Sequence, residues 1–192
     1  NEPHCIYLDK DGNLLIADMN ASRVMRLTPK GEFLSEVGKG AGSENGSFNK
    51  PRDVAILENG NIVATDQKTG KNRVQLFDPK GNFLKSFAGE GTGSGQIDWP
   101  HGMAFDSKQN IYVTDVANQR VNKYDSSGNF ILDIGKKSPN AEVLTMPHSL
   151  TITPNDAVFI SDYFGTIQKY SADGDYLLAF RNIVHTKGSA FV

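Results

Sequence analysis

Three of the four histidines in the chain directly follow a proline: His4 in "PHC", His101 in "PHG" and His148 in "PHS". Arg52 follows a fourth proline, in "PRD". Imidazoles brought together from separate segments form the donor set of a three-ligand zinc site with an open position. A guanidinium beside them would grip a substrate carboxylate with a two-point fork. The plainer alternative is structural, because a histidine after proline can bond a neighbouring carbonyl or a water and hold no metal. Residue type leaves both readings open, so the question becomes whether the chain brings these four side chains to one place.

The four prolines begin four copies of one unit, covering 3–38, 51–89, 100–135 and 147–180, with a tail at 181–192. Pro3, Pro51, Pro100 and Pro147 are spaced by 48, 49 and 47 residues, and Asp18, Asp66, Asp115 and Asp162 keep the same steps. A period held over four turns marks a repeat architecture. In the third unit the runs "GMAFD", "NIYVTD", "RVNKYD" and "NFILDIG", rich in β-branched and aromatic residues, are separated by the turn signals "SKQN", "VANQ" and "SSG". Gly31, Gly81, Gly128 and Gly174 all fall in the third turn, where a tight hairpin needs a left-handed residue. Each unit therefore predicts a four-stranded antiparallel meander. Four such units at this period predict an all-β fold, a β-propeller with four encoded blades in one domain.

Strand parity then sorts the residues. The start of strand one, the loop between strands two and three, and the linker between units share one rim. That rim holds the residues after proline, the loops 18–23, 66–73, 115–120 and 162–166, and the linkers 39–50, 90–99 and 136–146. If the first strand is innermost, His4, Arg52, His101 and His148 converge on the mouth of the axial channel. A residue present in every unit serves the unit, whereas an axial site is needed once. Asp18, Asp66, Asp115 and Asp162 read as caps accepting loop N–H bonds. Arg23, Arg73 and Arg120 read as their ion-pair partners, with Thr166 in that place in the fourth unit. His185, off the repeat position, reads as a surface residue.

The succession of a proline, "LLIAD" or "IYVTD", then "ASRV", "KNRV" or "NQRV", then "DPKG" resembles the NHL-repeat family of β-propellers over 3–180. The resemblance implies that the first strand lines the axis and the fourth lies outermost. The family usually closes as six blades. Four would form part of a larger propeller, close alone, or leave two open edges that invite self-association. Within the family, "PHGMAFDSKQNIYVTDVANQRVNKYD" is most similar to the peptidyl-α-hydroxyglycine α-amidating lyases. Those cleave the N–Cα bond of a C-terminal α-hydroxyglycine to give a peptide amide and glyoxylate. The resemblance implies a zinc held by Pro-His histidines of alternate blades and a rim-loop tyrosine as general base. His4 and His101 stand on alternate blades, His148 on the blade adjacent to His101. Tyr163 in "SDYFGT" is the rim-loop tyrosine, since Tyr7, Tyr112, Tyr124, Tyr170 and Tyr176 fall in strand runs; the second-blade loop reads "DQKTGKNR". Arg52 would take the substrate carboxylate. Calcium is the alternative cofactor, as in lactonases on similar propellers, which want several axial carboxylates. Family likeness leans towards an extracellular or periplasmic setting.

Composition bounds the rest. Lys+Arg number 20 and Asp+Glu 22, a formal charge of −2 that gives no overall pull towards nucleic acid or anionic membrane. With 38% hydrophobic residues and no apolar run near membrane-span length, the chain reads as a soluble globular protein. It opens on Asn1, which leaves room for a preceding leader or segment. The single Cys5 excludes an internal disulfide framework. No "GxSxG", Walker or "HExxH" pattern is present. The rivals to a lyase are a platform binding a peptide, protein or glycan through the rim and, third, an RNA-binding rim. For RNA, Lys39, Lys50, Arg52, Lys68, Lys71, Lys136 and Lys137 are diluted by Glu44, Asp53, Glu90, Asp98 and Glu142.

Overall fold

The computed structural model describes residues 2–68, 70–135 and 143–181. Sixteen strands fall in four sheets. Blade 1 holds β1 (Pro3–Leu8), β2 (Leu14–Asp18), β3 (Arg23–Leu27) and β4 (Phe33–Val37). Blade 2 holds β5 (Pro51–Ile56), β6 (Ile62–Asp66), β7 (Arg73–Phe77) and β8 (Phe83–Phe87). Blade 3 holds β9 (Pro100–Phe105), β10 (Ile111–Asp115), β11 (Arg120–Tyr124) and β12 (Phe130–Ile134). Blade 4 holds β13 (Pro147–Ile152), β14 (Val158–Asp162), β15 (Ile167–Tyr170) and β16 (Tyr176–Phe180). Every sheet is an antiparallel meander, as the four-run pattern of each unit predicts. Among the described residues no helix is long and apolar enough to cross a membrane.

The blades pack face to face, because alternation along each strand makes both faces of a middle blade apolar. Leu15, Ala17, Val24 and Val37 of blade 1 meet Val54, Ile62, Ala64 and Phe77 of blade 2. Val63, Val74, Leu76 and Phe87 meet Ile111, Val113 and Tyr124 of blade 3, whose other face, with Tyr112, Val121 and Ile134, meets Val158, Ile160 and Tyr170 of blade 4. The first strands touch in succession, β1 to β5, β5 to β9 and β9 to β13, and so line the axis. Blades 2 and 3 have every residue of their second and third strands buried.

One local feature aims the site. Each first strand starts with a proline paired to the aspartate that ends the second strand, and the register slips just after it. His4, Arg52 and His148 are the unpaired extra residues of these bulges, and His101 lies in the corresponding irregularity of blade 3. A bulge re-aims its side chain out of the plain alternation. The residue after proline is therefore turned to the channel mouth by the backbone itself.

Candidate functional site at the axial mouth

The three Pro-His imidazoles meet. His101 lies between the other two, its ring centroid 4.7 Å from that of His4 and 3.8 Å from that of His148. The Tyr163 ring stands 6.5 Å from His148, on the loop between β14 and β15, with Phe164 beside it. Arg52 is half-buried, and its Nε donates to Gln67 Oε1 at 2.6 Å, which leaves the Nη edge for a ligand. Its carbonyl is 2.9 Å from His4 Nδ1. Thus five residues drawn from four blades share one mouth. His185 lies outside the described residues.

Burial and crowding set the charge here. Desolvation, with His148, His4 and Arg52 close by, holds the His101 imidazole down at about 3, a hydrogen bond to the His148 backbone notwithstanding. Burial, then His4 and Arg52, also lowers His148. Both rings are neutral near pH 7, the form that ligates metals or accepts a proton. By donor chemistry three imidazoles suit zinc better than calcium, which takes six to eight oxygens. As placed, however, the rings meet face and edge, with His4 Nδ1 turned to a carbonyl. Among the described residues no three His, Cys, Asp or Glu side chains stand ready to hold an ion. Ring rotation at the bulges is needed to point three nitrogens at one spot.

Asp53, expected among the interleaved acids of the rim, has its carboxyl buried within the inner strands. It lies below the mouth and ties three inner strands together: Oδ1 accepts from the Cys5 thiol at 2.7 Å and from Val54 N, and Oδ2 from Met103 N at 2.7 Å. Burial pushes the Asp53 carboxyl up, and burial beside Asp53 pushes the Cys5 thiol up to about 12, so this cysteine stays a thiol. A signal was present, since the second position after proline reads Cys5, Asp53, Gly102 and Ser149 and therefore does not repeat.

The repeated aspartates turn to backbone. Asp66 Oδ1 accepts from Asn49 N and Lys50 N, Asp115 Oδ1 from Asp98 N, Asp18 Oδ1 from Glu2 N and Ala21 N, and Asp162 Oδ1 from Phe164 N and Thr166 N. Proline supplies no N–H, and in blades 1 to 3 the carboxylate gathers those just before it, whereas Asp162 caps only its own following loop. Arg73 and Arg120 join their own aspartate to the preceding linker. Arg73 reaches Asp66 and the carbonyls of Ser43, Glu44 and Ser47, and Arg120 reaches Asp115, Asp133 and the carbonyls of Gly93 and Gln96. Arg23 sits 3.9 Å from Asp18 and 3.5 Å from Glu36. On the same rim Lys68 bonds Ser43, while Glu90 and Asp98 hold Asn72. Lys136, Lys137 and Glu142 lie outside the described residues. A cavity of about 730 Å³, lined by Tyr7, Asp9, Arg26, Pro79 and Phe105 among others, opens at the other end of the blades, away from the histidines.

Four-stranded meanders stacked around an axis of first strands define a propeller-type array. The chain contains NHL repeats, and the family profile described as NHL repeat matches residues 48–77 and 98–124. It is 30% identical over 127 residues to peptidyl-glycine alpha-amidating monooxygenase of Mus musculus, a stretch covering 62% of this chain and 13% of that protein. It is 29% identical over 124 residues to the probable peptidyl-alpha-hydroxyglycine alpha-amidating lyase pgal-1 of Caenorhabditis elegans, covering 62% and 35%. RING finger protein nhl-1 of the same organism is 36% identical over 74 residues, covering 38% and 7%. The chain thus spans a minor part of the curated relatives it matches. Among solved structures, virginiamycin B lyase of Staphylococcus aureus superposes with a TM-score of 0.72 at 16% identity, over 97% of this chain and 57% of that one. A gluconolactonase of Xanthomonas campestris gives 0.66 at 19% identity, over 90% and 59%. These likenesses establish the fold: the chain is a propeller-type array that carries NHL repeats and is similar over 62% of its length to amidating enzymes.

Proposed function

We propose that the axial mouth is the site of an amidating-lyase-type reaction on a peptide ending in α-hydroxyglycine. The observation that carries this reading is the meeting of His4, His101 and His148, from three blades, beside Arg52. The Nη edge of Arg52 takes the terminal carboxylate of the substrate, while Gln67 fixes its Nε and so the plane of the fork. The imidazoles of His4, His101 and His148 would hold zinc, which when bound would polarise the substrate hydroxyl. Tyr163 stands at the open side of the cluster and takes the hydroxyl proton. The electrons of the broken O–H bond form the carbonyl of glyoxylate as the C–N bond breaks, and the nitrogen takes up the proton passed to Tyr163 and leaves as the amide. The test is elemental analysis joined to a glyoxylate assay on an N-acyl-α-hydroxyglycine. We expect near-stoichiometric zinc lost in His101→Ala, glyoxylate release, and a raised KM in Arg52→Ala. Metal-free protein that releases no glyoxylate after zinc is supplied overturns the reading.

A second reading has its own observation. Tyr163 and Phe164, 69% and 67% exposed, form an aromatic pair at the rim, the kind of rigid apolar surface that anchors a peptide or protein. For a binding platform, peptide affinity is lost in a Tyr163→Ala, Phe164→Ala double variant and is indifferent to His101→Ala.

A further inference from the structure

Three of the four residues that follow proline at the axial mouth are held from behind by one side chain. His4 and Arg52 stand in bulges and His101 in the matching irregularity, and side chains help to hold the chain just beyond them. In blades 2 and 3 a hydroxyl of the second strand does so: Asp53 N donates to Thr65 Oγ1 at 2.9 Å, and Gly102 N to Thr114 Oγ1 at 2.8 Å. Blade 1 has Ala17 at that place, opposite Cys5, with no hydroxyl to offer. Its Cys5 thiol instead crosses to blade 2 and donates to Asp53 Oδ1 at 2.7 Å.

The same carboxylate reaches blade 3. Its Oδ2 accepts from Met103 N, two residues past His101, and Thr65 Oγ1, the acceptor for Asp53 N, donates to the His101 carbonyl at 3.3 Å. Oδ1 also accepts from Val54 N of its own strand. The backbone at His4, Arg52 and His101 is therefore tied to Asp53 across β1, β5 and β9. The tie also decides which nitrogen His4 presents. The Arg52 carbonyl can only accept, so His4 Nδ1, 2.9 Å from it, carries a hydrogen, and the uncharged ring keeps its lone pair on Nε2. That carbonyl is placed by Pro51, paired to Asp66, on one side and by Asp53, paired to Thr65, on the other. A carbonyl that fixes the tautomer of an imidazole is the kind of support found behind a ligating histidine.

We propose that Asp53 is a positioning residue for the axial mouth. Through Cys5, its own strand and Met103 it fixes the backbone that aims His4, Arg52 and His101, and it thereby sets the tautomer of His4. The assignment rests on the mouth being the working site, and Asp53 acts there through its neighbours without touching substrate. A carboxylate is required because each of its oxygens faces a backbone N–H, Val54 on one side and Met103 on the other, and neither donor can turn away. An asparagine of the same shape must set its NH2 against one of them.

The experiment is imidazole nitrogen NMR on the metal-free 192-residue chain at about pH 8, above the ordinary imidazole range, joined to zinc affinity by competition with a chelator. In the wild type His4 is expected to show a protonated Nδ1 and a bare Nε2. Asp53→Asn loses that single tautomer, shifts the His101 ring signals and weakens zinc about tenfold or more, with its circular dichroism retained. Cys5→Ala, which unfastens blade 1 alone, moves His4 and leaves His101 in place. Cys5→Ser, whose hydroxyl still donates to Asp53, moves neither. Ile62→Ala, a core truncation at the far end of the same sheet, lowers the melting temperature and moves neither, which separates aiming from loss of stability. Unmoved His4 and His101 signals in a folded Asp53→Asn overturn the proposal, as do equal shifts in Ile62→Ala. If Asp53→Asn does not fold, the cysteine variants decide: His4 unmoved in Cys5→Ala, or moved as far in Cys5→Ser, overturns it too. The ring signals need neither zinc nor substrate. A chain that takes up no zinc and releases no glyoxylate therefore sinks the lyase reading and leaves the role of Asp53 to be decided by those signals.

Discussion

Blades 1 and 3 carry the same aspartate and arginine at the same repeat positions, and the two pairs live in different surroundings. In blade 3, Arg120 Nε is 2.7 Å from Asp115 with both side chains 0% exposed, and the guanidinium also takes Asp133 and two linker carbonyls. In blade 1 the pair is 3.9 Å apart, Arg23 is 33% exposed, and its buried Nε has no hydrogen-bond partner among the described residues. The strand geometry is common to both. What blade 3 has and blade 1 lacks is a neighbour on its leading side, whose linker, closed by the Glu90–Ile97 bridge, lays carbonyls over the arginine. Repeat residues are thus completed by the blade before, and a propeller position acquires its energy from the junction more than from its own sheet.

The largest effect that would break this comparison lies in the arginines. Arg120→Ala leaves Asp115 buried without its cation and strips two carbonyls of their donor, a loss of about 3–5 kcal/mol. Arg23→Ala removes a partly exposed, long ion pair and costs about 0–1 kcal/mol. Urea midpoints for the two variants measure the difference directly. Equal losses would mean that the blade itself, and not the junction, sets the value of the pair.

A second contrast keeps the backbone constant. Gly31 and Gly128 occupy the same turn at φ of +84° and +79°, so an alanine at either bears a left-handed penalty of about 1–2 kcal/mol. At Gly128 the added methyl also meets Phe87 at 2.6 Å, which adds about 1–3 kcal/mol of overpacking. Thermal unfolding of the two alanine variants should therefore rank Gly128→Ala well below Gly31→Ala. Smaller still is the core contrast. Val54→Ala empties a junction position that is 1% exposed and costs about 1.5 kcal/mol, against less than about 0.5 for Ile6→Ala measured on the single chain.

Much of this architecture is legible in the sequence because repetition removes ambiguity. One run such as "NIYVTD" could be strand or buried helix, but four runs returning at steps of 48, 49 and 47, each with glycine in its third turn, admit only a stacked meander. The convergence of His4, Arg52, His101 and His148 is legible as a shared rim but not as contact. The bulges that swing them inward depend on a proline facing an aspartate across two strands, a pairing that no local window contains. Asp53 was missed for a related reason. Its partners Cys5 and Met103 lie on other blades, one period away on either side, so its chemistry exists only once β1, β5 and β9 are side by side. The linkers 39–50 and 90–99 are rich in Gly and Ser, and the parallel bridges Ala41–Phe48 and Glu90–Ile97 that fold them onto the rim carry no sequence periodicity.

The finest test of junction over sheet lies at the axis itself, where His101 of blade 3 is enclosed by residues from blades 1, 2 and 4. Burial and neighbouring positive charge hold its folded pKa at about 3, whereas an imidazole in the unfolded chain titrates near about 6.5. Between those values the unfolded chain binds a proton that the folded chain refuses. Stability therefore rises with pH across that window and falls steadily on acidification from about 6.5 towards 3. His101→Gln should remove up to about one proton from the slope of unfolding free energy against pH there, and leave stability above pH 7 little changed. Imidazole NMR reads the same equilibrium within the folded state: His101 should keep its neutral shifts through pH 5 while the more exposed His148 begins to charge first. A His101 ring that charges near pH 6.5 would mean that water reaches it freely, and that the inner strands do not close around it as the outer parts of the same blades close around Arg120.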